Sequence, residues 1–130
     1  MERSRGHRKR SLWGARDIGL ARLFFGALGA PAAWALHFNL VYFLDALFCT
    51  TGRTGITLAV AIATLTLGAV AVVAGIVAYR GWRDRRGIET PSAGTVRLLL
   101  AMGAIGAVLF TALIVAEGLA PFFVPACAAP

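Results

Sequence analysis

Residues 56–79 read ITLAVAIATLTLGAVAVVAGIVAY, a run of 24 residues without one charged group. The hydrocarbon core of a bilayer is spanned by about 20 apolar residues in helix. This stretch therefore reads as a membrane-crossing helix, and the rest of the chain is organised around it. On its N-terminal side, Cys49-Thr-Thr-Gly-Arg-Thr-Gly55 is a short polar turn punctuated by two glycines. On its C-terminal side, residues 80–97 form a polar connector carrying Arg80, Arg83, Arg85, Arg86 and Arg97.

Beyond each connector lies another apolar run, 23–48 before and 98–124 after. The composition of the 130 residues agrees, with 58% hydrophobic and 15% charged. A soluble domain runs about 45–50% apolar and about 25% charged. The mean hydropathy is +0.75, too apolar for a disordered chain. The expectation is an all-α integral membrane protein with three transmembrane helices, 23–48, 56–79 and 98–124. A basic arm, 1–22, precedes the three-helix domain 23–124, a loop, 80–97, joins its second and third helices, and a proline-bearing tail, 125–130, follows. The arm is expected to be irregular up to about Ser11. In the first helix Pro31 has no N–H to give the Ala27 carbonyl. This predicts a kink near 27–31, loosened by Gly26 and Gly29. Glu117, Pro121 and Pro125 interrupt the third run, with Pro121 a second bending point.

The formal net charge of +7 comes from 13 Lys+Arg against 6 Asp+Glu. Its meaning depends on placement. The arm holds seven of the basic residues and the 80–97 loop five, while the turn between the first two helices has only Arg53. Basic residues close to membrane spans mark the cytoplasmic side. Three spans then place the N-terminus in the cytoplasm and the C-terminus in the periplasm of a bacterial inner membrane. A cleaved signal peptide fits poorly, because its apolar region runs about 7–15 residues and ends in small residues. The basic ends serve as topology signals and headgroup contacts. Nucleic acid is not an expected partner, since no recognition helix, aromatic platform or zinc spacing is present.

Cys49 and Cys127 both fall on the outer side, each just beyond a helix end. That compartment is oxidising in bacteria, and the simplest reading is a disulfide between them. A long closed loop of this kind is worth up to about 4 kcal/mol. Two independent thiols and a soft-metal pair remain alternatives, although a metal site usually needs three or four ligands.

Ionisable groups at membrane depth are costly and are functional candidates by default. His37 lies deep in the first helix, on one face with Trp34, Val41 and Asp45. Tyr42 flanks that face, Asn39 points elsewhere, and Asp45 is close enough to the outer end to reach water. Three roles are open to His37: a packing hydrogen bond, proton transfer, and haem ligation. Glu117 sits in the outer half of the third helix, and Pro121, four residues on, leaves its carbonyl without a helical donor. Counted from the two cysteines, Glu117 and His37 lie at similar depth, so a bond from Glu117 to His37, Asn39 or Tyr42 is expected. Ala61, Gly68 and Gly75, near Thr57 and Thr64, and Gly103, Ala107 and Thr111 are small residues at helical spacings that let backbones approach in lipid. No phosphate-binding loop, nucleophile elbow or paired acid/base site is present. The chain is expected to be no enzyme by itself and to hold no cofactor of its own.

One segment carries a family resemblance. Gly29-Ala-Pro31-Ala-Ala-Trp34-Ala-Leu-His37, continuing to Tyr42 and Cys49, with Cys127 after the last helix, resembles small three-helix membrane proteins encoded beside caa3-type cytochrome c oxidases. The shared pattern is Gly-x-Pro-x-x-Trp-x-x-His, then an aromatic and two cysteines. It covers the first and third helices, and the second is generic. The resemblance implies a non-catalytic accessory subunit or assembly-associated protein of a respiratory oxidase, packed against larger membrane subunits. His37, Asn39, Asp45 and Glu117 would make the polar contacts. The alternative from the residues alone is a small oligomeric transport or pore-forming protein using Glu117 or His37. A four-helix multidrug transporter is disfavoured by the three spans.

The charge asymmetry generates a direct test. Alkaline phosphatase fused after Pro130 is expected to be active, and the same enzyme fused within 80–97 inactive. The reverse pattern contradicts the orientation.

Overall fold

The computed structural model describes residues 3–51, 55–85 and 91–123, with side chains described in 19–51, 55–85 and 94–123. It contains α1 (Arg3–Thr51), α2 (Ile56–Asp84) and α3 (Pro91–Phe123). Three segments are long and apolar enough to cross a membrane: Gly19–Thr51, Ile56–Asp84 and Gly94–Phe123. The protein is a multi-pass helical membrane protein. The tail 125–130 and Cys127 lie outside the described residues, as do the side chains of the arm up to residue 18.

Each helix outruns the apolar window that announces it. α1 is helical from Arg3, so the arm expected to be irregular up to about Ser11 is not. The arm has no proline, and its arginines, leucines and alanines are good helix formers. α1 also continues through Pro31, as α3 does through Pro121. At the other polar boundary, α2 runs on to Asp84 and α3 begins at Pro91. The connector is therefore much shorter than 80–97. The physical reason is that apolarity measures bilayer thickness, whereas helix ends are set by backbone hydrogen bonding. Pro91 fits the first position of a helix, where its missing N–H has no intrahelical partner to lose.

The turn before α2 is shaped by Gly55, whose φ of 104° is left-handed. A side chain there would be strained. The Gly55 carbonyl accepts the Ala59 N–H at 3.1 Å and starts the helix.

All three helices pack against one another, antiparallel in sequence, up, down, up. Water does not drive helices together inside lipid, so close van der Waals packing must. The contact surfaces are accordingly made of the smallest residues. Ala30, Ala33, Ala71 and Ala107 form the core with Ile114, and Trp34 and Phe110 pack against it. Gly26 lies on the Ala78 backbone, and a Cβ added at Gly29 would come within 2.8 Å of the Ala74 methyl. These two glycines are thus contact points between α1 and α2, beyond any role in loosening the Pro31 turn. Gly75 faces Ala107 with the same lack of room, and Gly103 lies against the backbone of Gly26 and Ala27. Of the small residues at regular spacing in the sequence, Gly68, Gly75, Gly103 and Ala107 are in these seams.

The large apolar side chains point the other way. Phe38, Leu65, Ile105, Val108 and Phe123 are each more than half exposed. In water this surface would aggregate; in a bilayer it is the solvated face. One shallow groove of about 830 Å³ runs between α2 and α3, lined by residues such as Gly75, Ala107, Thr111 and Ala116.

Two glycines on α3 separate packing from mere helix propensity. A Cβ at Gly103 would reach 2.5 Å from the Gly26 carbonyl oxygen, whereas one at Gly106 meets nothing closer than Phe110 at 3.8 Å. Gly103→Ala is expected to cost about 1–3 kcal/mol, as overpacking does. Gly106→Ala is expected to be neutral or stabilising by up to about 1 kcal/mol. Unfolding in mixed detergent micelles measures both, and equal effects would contradict this packing.

Candidate functional site

The polar chemistry inside the membrane is concentrated at one level of the bundle. His37 is placed there by α1, Thr64 by α2 and Glu117 by α3. His37 is fully buried. Its Nδ1 lies 3.2 Å from Glu117 Oε2, and its Nε2 lies 3.0 Å from Thr64 Oγ1. The other carboxyl oxygen, Oε1, accepts the Trp34 indole N–H at 3.0 Å. Thr64 in turn donates to the Val60 carbonyl, one turn back, at 2.8 Å. The result is a continuous chain, Trp34–Glu117–His37–Thr64–Val60, that crosses all three helices. Among the described residues no buried side-chain polar atom lacks a partner.

Local structure explains why these residues meet. Trp34 and His37 are three apart and share a face of α1. The Trp34 ring is held by Phe110 of α3, with centroids 5.5 Å apart, and by Phe38 at 6.1 Å. Gly118 has no room for a side chain because Thr64 fills the space beside it. That close approach of α2 and α3 brings Thr64 and Glu117 to the same histidine.

Counting protons along the chain narrows its electrical state. The single Thr64 hydroxyl proton is engaged with Val60, so the Thr64 oxygen is left to accept. With that proton on Val60, Nε2 of His37 is the donor in its bond to Thr64. At Nδ1 two arrangements form a hydrogen bond. Either a protonated Glu117 donates to a bare Nδ1, or an imidazolium donates to a carboxylate. In both, one proton lies between Nδ1 and Oε2, and the pair has no net charge. The remaining combination, a neutral Nε2–H imidazole facing a carboxylate, sets two lone pairs against each other. Neutrality suits this depth, because an uncompensated buried charge is among the costliest features a fold can hold.

The Glu117 to His37 bond expected from matching depth is present; Asn39 and Tyr42 are not its partners. Asn39 Nδ2 donates to the Ala35 carbonyl at 2.7 Å on the exposed side of α1, and Tyr42 is 75% exposed. Asp45 is exposed near the end of α1, with Cys49 Sγ 3.8 Å from its Oδ1. Cys127, the partner expected for Cys49, lies outside the described residues. Two members of the network, Trp34 and Thr64, were not expected to touch Glu117 or His37. Trp34 carried a signal, its position on the His37 face. Thr64 carried only its place on a stripe of small residues.

Among the described residues, no group of three or more His, Cys, Asp or Glu side chains is arranged to hold a metal ion. No protein-family model, curated protein or solved structure matches the chain.

The proton count separates two substitutions at one position. Glutamine at 117 can accept from Trp34 and donate to a bare Nδ1, so Glu117→Gln is expected to change stability by less than about 1 kcal/mol. Glu117→Ala leaves Trp34 and His37 without partners and is expected to cost about 2–4 kcal/mol. Unfolding in detergent reads the difference, and equal losses would contradict the shared-proton arrangement.

Proposed function

We propose that this chain is a small non-catalytic subunit or assembly-associated protein of a respiratory cytochrome c oxidase in a bacterial inner membrane. It acts by packing against larger membrane subunits. The resemblance at Gly29, Pro31, Trp34, His37, Tyr42, Cys49 and Cys127 supplies the oxidase context. The observation that carries the packing role is that both ring nitrogens of His37 are engaged inside the bundle. Ligation of a haem iron by His37 would require one of those bonds to break, and a pore-lining role would require the ring to face a path. Trp34, within the resembling motif, is also spent on the internal network. The work of these polar residues, in this reading, is to hold three helices in one arrangement that a larger subunit receives. The arginine-bearing ends face the cytoplasm, and a Cys49–Cys127 disulfide ties the outer ends of α1 and α3.

One observation favours the second reading, a small oligomeric transport protein. The Glu117 side chain is 29% exposed while its partner His37 is fully buried. The shared proton thus reaches the bundle surface through Glu117, where a second copy of the chain would cover it.

A tagged chain extracted from its native membrane in mild detergent tests the proposal. It is expected to travel with haem absorbance and large oxidase subunits, and to keep both in a Glu117→Gln variant. Elution without haem or large subunits would contradict it, and a conducting homo-oligomer would favour the second reading. Mass measurement before and after thiol alkylation is expected to show no reactive cysteine; two alkylated sites would remove the disulfide from the account.

A further inference from the structure

At the end of the bundle opposite Cys49, the three helices enclose a second cavity of about 670 Å³. Arg22 of α1, Arg80 of α2 and Arg85, just beyond α2, line it together with Asp84. Its apolar lining is Leu23, Val77 and Leu100, which lie farther along their helices toward the middle of the membrane and so form its floor. The cavity is therefore amphipathic: guanidinium groups at the rim and hydrocarbon below. We propose that it binds the anionic phosphate of a membrane phospholipid, with the glycerol and upper acyl chain resting on the apolar floor. This inference is independent of the oxidase proposal.

Three observations converge on that ligand. The first is charge. Three arginines against one aspartate leave the rim cationic, and among the described residues none of these four side chains forms an ion pair with another. Arg85 is held in place by its Nη1 donating to the Gly81 carbonyl at 3.2 Å, which leaves further guanidinium donors for a phosphate. Guanidinium groups present several donors in a planar fork that suits phosphate oxygens.

The second is depth. Arg80 and Arg85 lie just past the point where the uncharged run of α2 ends. Tyr79 and Trp82 sit beside them with ring centroids 5.9 Å apart. Tyrosine and tryptophan concentrate at the level of lipid headgroups, so the arginine rim lies where lipid phosphates lie. The third is the floor. A site for free phosphate has no use for leucine and valine beneath it, whereas a lipid presents an apolar body directly below its phosphate. Basic pockets between transmembrane helices are a known physical solution for anionic headgroups.

Native mass spectrometry of the full chain, released from micelles containing equal phosphatidylglycerol and phosphatidylcholine, tests the site. The wild type is expected to retain phosphatidylglycerol in preference to phosphatidylcholine. Arg22→Gln and Arg80→Gln are each expected to weaken retention about fivefold, the effect of one arginine near a headgroup. Both residues are exposed, so neither change disturbs the core, and unchanged helical circular dichroism confirms it. Arg97→Gln removes an arginine from the same end but outside the cavity and is expected to leave retention unchanged. Millimolar inorganic phosphate is expected not to displace the lipid. Equal retention of the two lipids, an equal loss in Arg97→Gln, or displacement by inorganic phosphate would each overturn the proposal. The last would assign the rim to free phosphate.

Discussion

A carboxyl group inside hydrocarbon must find partners, and Glu117 finds one on each of its oxygens. Oε1 takes the Trp34 indole N–H, and Oε2 shares a proton with His37. Through these two bonds α3 is fastened to α1 at two points of one face. His37 then passes the connection to α2 through Thr64. The side-chain bonds of Asn39 and Thr66, by contrast, stay within a single helix. The alanine and glycine seams permit many sliding positions of one smooth helix on another. A chain of hydrogen bonds with fixed donors and acceptors permits one.

The seams and the network depend on each other. Hydrogen bonds of this length need backbones that approach closely, and Gly26, Gly29, Gly75, Gly103 and Gly118 give the approach. In return the network sets the register in which those glycines meet their partners. Net neutrality of the Glu117–His37 pair is what makes the arrangement affordable in a low-dielectric interior. An ionised pair with no shared proton would carry a desolvation cost that two neutral hydrogen bonds could not offset.

Much of this was legible in the sequence, and the part that was not has identifiable causes. The three spans follow from the length of the uncharged runs, and the meeting of Glu117 with His37 follows from depth, because helices of known rise place residues at countable heights. Rotation about the helix axis is less readable. Small residues occupy so many positions of α2 that no single stripe stands out. Thr64 looked the same as Thr57 or Thr66, yet only Thr64 faces the histidine. The true helix ends were hidden as well. Arg80 to Asp84 and Pro91 to Arg97 are polar, so hydropathy assigned them to a loop, although helices continue unhindered through the headgroup zone. Pro31 and Pro121, the expected bending points, lie inside helices that continue past them.

The central claim is that Nε2 of His37 carries a proton and that the pair is neutral as a unit. Nitrogen-15 NMR of the chain in bilayers, with His7→Gln leaving His37 as the sole histidine, tests it most directly. The expected result is a protonated Nε2, with Nδ1 in a hydrogen bond that shares one proton with Glu117. A bare Nε2 with a protonated Nδ1 would contradict it, because the pair would then carry a net negative charge and the Thr64 hydroxyl would have to abandon Val60.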